Sequence, residues 1–122
     1  MQDFKDLLVW QKAHKFVLTI YQMSNSFPRD EVYGLTSQLR RSSASIPANI
    51  AEACGRDGSK EFARFLQIAM GSASETEYHL LLARDLGFIN VSSWDCMNSS
   101  VIEIKRMLAA LLKKVRSNNS DH

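Results

Sequence analysis

Apolar residues return every three or four positions in four separate stretches of this chain, and that spacing constrains the fold more than any other feature. Trp10, Ala13, Val17 and Ile20 fall at steps of 3, 4 and 3, so they share one face of a helix. Leu35, Leu39, Ser42, Ile46, Ile50 and Ala53 step 4, 3, 4, 4 and 3. Phe62, Leu66, Ala69, Ala73, Thr76, Leu80 and Ala83 alternate 4 and 3, a heptad seam with small residues at its centre. Trp94, Met97, Val101, Ile104, Leu108, Leu111 and Val115 alternate 3 and 4.

The breaks between these stretches carry their own punctuation. Ser26-Phe27-Pro28 ends the first helix, because a proline restricts the residue before it. Gly55 and Gly58 separate the second from the third, with Ser59 placed as an N-cap. Gly87 suits a left-handed C-terminal cap, with Phe88 folding back on Leu82 or Ala83. Ser92 with Asp95 reads as a capping box, and Lys113, Lys114 and Arg116 close the last helix where cations complement its dipole. The pattern predicts helices over residues 7–25, 33–55, 59–86 and 92–116, with 117–122 frayed. Four amphipathic rods on short connections hide their stripes in an all-α, antiparallel, up-down-up-down four-helix bundle.

A chain of 122 residues buries roughly two-thirds of its unfolded surface, enough for one core and one domain. The opening residues Met1 to Asp6 lack an apolar secretory region, and the longest apolar run, Met107 to Leu112, falls far short of the roughly 20 residues a bilayer requires. A cytoplasmic protein is expected, with no membrane contact. Cys54 and Cys96 sit at opposite ends of the third helix, roughly 40 Å apart, which excludes an intrachain disulfide.

Lys and Arg number 15 against 13 Asp and Glu, a net charge of only +2. The signs are segregated: residues 57–100 sum to −3 and residues 101–116 to +4. Such segments attract one another within or between subunits. The basic residues open to a nucleic acid or another partner are Arg40, Arg41, Arg56, Lys60 and Arg64, and on the last helix Lys105, Arg106, Lys113, Lys114 and Arg116. Phe65, Trp94 and Trp10 lie in or beside the seams and read as core or interface rather than base-stacking platforms.

Gln38, Arg41, Ser45, Asn49, Glu52 and Arg56 form a polar stripe beside the second seam, more regular than a solvated face requires. Pro47 interrupts the same helix, freeing the carbonyl of Ser43 and bending the rod. If the second and third helices form a hairpin about residues 57 and 58, the stripe pairs Glu52 with Arg64 and Arg41 with Glu75, and brings Ser45 against Gly71 and Ser72. Its main role is then to fix register and subunit contacts.

At this point the sequence resembles a known family over nearly its whole length. The carrying residues are Leu7-Leu8-Val9-Trp10-Gln11-Lys12-Ala13, Phe27-Pro28, Glu31 to Arg41, Ser45-Ile46-Pro47-Ala48-Asn49-Ile50-Ala51-Glu52, Gly55-Arg56, Lys60 to Leu66, Ile68-Ala69 and Gly71-Ser72. The family is that of bacterial four-helix-bundle proteins named for members encoded in intervening sequences of 23S rRNA genes. The resemblance implies a compact bundle that assembles into a cyclic homo-oligomer, a five-membered ring foremost. The family is also similar to the accessory protein of diversity-generating retroelements, which binds nucleic acid and a reverse transcriptase through a basic ring. This chain departs from the pattern at Ala53-Cys54, where a glycine usually follows the glutamate, and at Thr76, which stands for a leucine and lightens the core.

Catalytic machinery is not legible. A carboxylate-bridged dinuclear site in a bundle needs Glu-x-x-His on two helices, and the histidines are His14, His79 and His122, with Glu75 and His79 spaced as a surface pair. No glycine-rich phosphate loop, nucleophile elbow or cysteine knuckle occurs. The expectation is a non-enzymatic homo-oligomeric scaffold, without metal or cofactor, whose candidate partner is rRNA or other nucleic acid. The alternative is a protein-assembly module with no nucleic-acid role.

Overall fold

The computed structural model describes residues 2–120. A 3₁₀ turn (Phe4–Asp6) leads into α1 (Leu8–Ser24), a second 3₁₀ turn (Arg29–Glu31) into α2 (Leu35–Cys54), and α3 (Ser59–Asp85) and α4 (Val91–Ser120) follow. Each helix packs on the next in sequence and α1 closes against α4, while the diagonal pairs do not meet among the described residues. The helices alternate in direction. Ser42 meets Thr76 while Ser45 meets Ser72, and Lys105 meets Glu77 while Arg116 meets Gln67, so numbers rise on one helix as they fall on its neighbour.

The four seams supply the core. Ile20, Leu39, Ile46, Ile50, Leu66, Leu80, Ile104 and Leu108 are almost wholly removed from solvent. On α4 the seam drifts: Leu112 is buried where the heptad reading expects Leu111, which is half-buried together with Val115. A straight helix turns 3.6 residues per revolution, so a 3.5-residue pattern slips by about 20° per heptad. α4 also continues through 117–120, residues expected to fray, and 121–122 lie outside the described residues.

Two expected caps belong to neighbours. Asn90 caps α4 in place of Ser92, its Oδ1 accepting from the Ser93 amide at 2.7 Å. Gly58, at φ +83°, precedes α3, and Ser59 is the first helical residue with no capping bond. The α3 exit follows the expected geometry: Gly87 has φ +79°, its amide donates to the Arg84 carbonyl, and that of Phe88 donates to the Ala83 carbonyl at 2.9 Å. At the start of α2, Glu31 Oε1 accepts from the Leu35 amide at 3.0 Å. Pro47 lies buried inside an α2 that is continuous on both sides of it.

Leu66→Ala, which empties a fully buried site between helices, is expected to lower unfolding free energy by about 2–5 kcal/mol. Gln22→Ala on the exposed face of α1 should change it by less than about 0.5 kcal/mol. Urea denaturation followed by circular dichroism reads both.

Candidate nucleic-acid interface

The chain's direction places the end of α2, the start of α3 and the last turns of α4 at one end of the bundle. A trough runs there between α3 and α4. Its upper cleft is lined by Gln67, Met70, Ala109, Leu112, Lys113 and Arg116, and its lower cleft by Lys60, Glu61, Ala63, Arg64, Val115 and Arg116. The floor is small and apolar, and the rims carry Lys60, Arg64, Lys113 and Arg116 against the single carboxylate of Glu61. Low-dielectric walls beneath cations of one sign focus the potential into the trough. The α3 N-terminus opens at its lower end with no side-chain cap, and its first-turn amides add partial positive charge.

The ten basic residues singled out from sequence divide sharply. Arg40 is held within the fold: Nε donates to Ser24 Oγ at 2.8 Å, Nη2 donates to the Tyr21 carbonyl and to Asn25 Oδ1, and the guanidinium lies over the Tyr21 ring. It clamps the end of α1 to α2. Lys105 makes a half-buried ion pair with Glu77 at 2.9 Å, joining the basic α4 to the acidic α3 as the charge segregation expects. Arg41 and Arg106 are exposed, make no ion pair among the described residues and line neither cleft. Lys114 is exposed on α4 beside the trough without lining it. Lys60 and Lys113 are exposed in the trough and likewise unpaired among the described residues.

Arg56 and Arg64 flank the buried Phe65 ring, their guanidinium carbons 4.9 and 4.4 Å from its centroid. This contact fixes two flexible side chains near the basic end. Phe65 is core, as expected, and Trp94 is half-buried under the Arg84 guanidinium at 4.3 Å. Trp10 is half-buried and stacks on His14 with centroids 5.0 Å apart.

One member of the α2 polar stripe, Ser45, hydrogen-bonds to α3, and the expected ion pairs across the hairpin do not form. Ser45 Oγ and Ser72 Oγ are 2.9 Å apart, as expected, and Asn49 Nδ2 donates to the Ser45 hydroxyl and carbonyl. Thr76 Oγ1 donates to Ser42 Oγ at 2.9 Å inside the core, so the threonine exchanges a leucine's bulk for a cross-helix hydrogen bond. Glu52 pairs with Arg56 instead of Arg64, Arg64 with Glu61, and Glu75 with His79 instead of Arg41. Partners three or four residues away on the same helix are already adjacent, and an exposed pair gains too little to reach across.

Cys54 and Cys96 are both free. Burial, and secondarily the negative charge of Asp3, push the Cys54 thiol up from its ordinary value. Among the described residues no cluster of His, Cys, Asp and Glu could hold a metal ion, and no helix is long and apolar enough to cross a membrane.

Fold and site together define a small antiparallel helical bundle with a cationic trough at one end. Residues 5–110 match the model of the 23S rRNA-intervening sequence protein family, and the chain belongs to that family. It is also similar to a protein of unknown function from the S23 ribosomal protein family of Bacteroides thetaiotaomicron, known as a crystal structure. The two share 29% identity with a TM-score of 0.81, over 87% of this chain and 96% of that one. No curated protein is significantly similar to the chain.

Arg40→Ala is expected to destabilise the fold by about 1–3 kcal/mol, because it removes hydrogen bonds to a charged, part-buried group. Arg41→Ala should stay within about 0.5 kcal/mol, as thermal denaturation of the two variants would show. A thiol reagent at mildly alkaline pH should modify Cys96 well before Cys54, since a raised pKa and burial both withhold the thiolate. Equal rates would contradict the placement of Cys54.

Proposed function

We propose that this protein is a non-enzymatic, homo-oligomeric helical scaffold of the cytoplasm that binds RNA or DNA through the basic trough. The observation that carries the reading is the convergence of Lys60, Arg64, Lys113 and Arg116, from two helices distant in sequence, on one apolar-floored trough. A formal charge of +2 is small for a dedicated nucleic-acid domain, but concentration at one end and repetition around a ring multiply its local effect. The family's association with 23S rRNA intervening sequences makes rRNA the first partner to test.

Self-association is supported by the outer face of α3. Ile68, Gly71 and Tyr78 are exposed there, and nothing lies within 4 Å of where a Gly71 side chain would begin. A glycine in a helix interior costs about 1 kcal/mol relative to alanine, and no contact within the chain requires it. Close approach of a second copy would use that space, and a cyclic pentamer is the assembly we favour. A protein-assembly module is the second reading, favoured by the near-balanced charge and by exposed Tyr33, Leu86 and Val91.

Gel shifts with structured rRNA fragments should show binding that weakens steeply between about 50 and 200 mM salt. The triple variant Lys60→Ala/Arg64→Ala/Lys113→Ala should lose it, and Arg41→Ala/Arg106→Ala should keep it. Absence of binding at low salt would leave the assembly reading. Light scattering of a monodisperse monomer at micromolar concentration would discard the ring.

A further inference from the structure

The trough does not end at the start of α3. Its upper and lower clefts share Gln67 and Arg116, and the lower cleft shares Ser59 and Val115 with a third, at the tip of the bundle, bordered by Cys54, Arg56, Asp57 and Phe62. The volumes are about 530, 450 and 600 Å³ in that order. From Met70 to Ser59 the track follows α3 for roughly 16 Å before it turns over the bundle end.

We infer that these clefts form one track for single-stranded nucleic acid, and that duplex is excluded from it. The inference rests on the nucleic-acid reading above and narrows it to a substrate class. The cations stand on the rims of a recess between two helices whose axes pack about 8–10 Å apart. Duplex DNA is usually read by the opposite shape, a helix or ribbon that protrudes into a groove about 12 Å wide, and duplex RNA across its wide, shallow minor groove. A convex duplex laid on this trough touches the rims alone. A single strand sinks between them, with phosphates against Lys60, Arg64 and Lys113 and bases toward the apolar floor.

Two features refine the placement. Arg116 Nη2 donates to Gln67 Oε1 at 2.9 Å, a bar across the middle of the track that ties its two walls together. At the tip, Phe62 is half-buried and lines the third cleft. Its ring supplies an aromatic surface for a base in the cleft that Arg56 also lines, and single-strand sites combine such a stacking platform with cations.

Fluorescence anisotropy tests this with labelled oligouridine of about a dozen nucleotides, a blunt RNA duplex of the same length, and polyglutamate as competitor. Wild-type protein should bind the single strand at least about tenfold more tightly than the duplex at equal salt. Phe62→Leu should weaken single-strand binding by about fivefold or more without changing the salt slope. Lys60→Ala/Lys113→Ala should lower that slope by about 1.4. Circular dichroism of each variant must match wild type, and Phe62→Met replaces Phe62→Leu if that variant unfolds. Duplex binding as tight as single-strand binding, or an unaffected folded Phe62 variant, overturns the single-strand inference while the nucleic-acid reading stands. Displacement by polyglutamate at equal charge overturns it in favour of an acidic peptide. Failure to bind any nucleic acid overturns both.

Discussion

The hydroxyl-lined contact between α2 and α3 fixes the position of everything else at the functional end. Ser42, Ser45, Ser72 and Thr76 are small enough to let the two backbones approach, and their hydrogen bonds permit one register. A shift by one residue would break both cross-helix bonds, each worth about 0.5–1.5 kcal/mol, whereas the apolar seam alone would tolerate some sliding. With that register set, Arg56 at the end of α2 falls beside Phe65 and Arg64 on α3. The turn at Gly58 then presents Lys60 toward α4.

The α3–α4 contact completes the trough in the same manner. Lys105 and Glu77 hold the middle of the pair, and Arg116 with Gln67 holds its lower part. Between these points Met70, Ala109 and Leu112 line the depression, with Lys113 at its edge. The result is a depression with charged edges. Net charge alone hides this feature, because most of the carboxylates that balance it lie on other faces, with Glu61 and Asp57 alone among the cleft-lining residues.

Much of the fold was legible because helical periodicity depends on burial, and burial is what the seams record. The α2 and α3 seams match the observed core nearly residue for residue, and Gly87 marked its cap correctly because positive φ is a local requirement. Elsewhere competing local solutions decided the outcome. Asn90 caps α4 two residues before Ser92, and Glu31 reaches the start of α2 from the preceding turn. The cross-helix ion pairs failed because Arg56, Glu61 and His79 lay closer to the same partners. Of the candidate site, composition and position identified the basic residues but not which were committed to the fold. Arg40 and Lys105 differ from Lys60 and Lys113 only through partners on other helices, Ser24 and Glu77 among them, and no spacing within one helix reports those. The three-cleft track depends on which α3 residues face which α4 residues, and that appears only once the register is known.

Amide NMR titration of the protein with a short single-stranded RNA tests most directly the claim that function resides at this end of the bundle. Shift changes should concentrate in residues 56–67 and 109–118, with Val32, Tyr33, Leu86 and Val91 at the opposite end unmoved. Changes centred on that opposite end, or spread evenly over the surface, would contradict it.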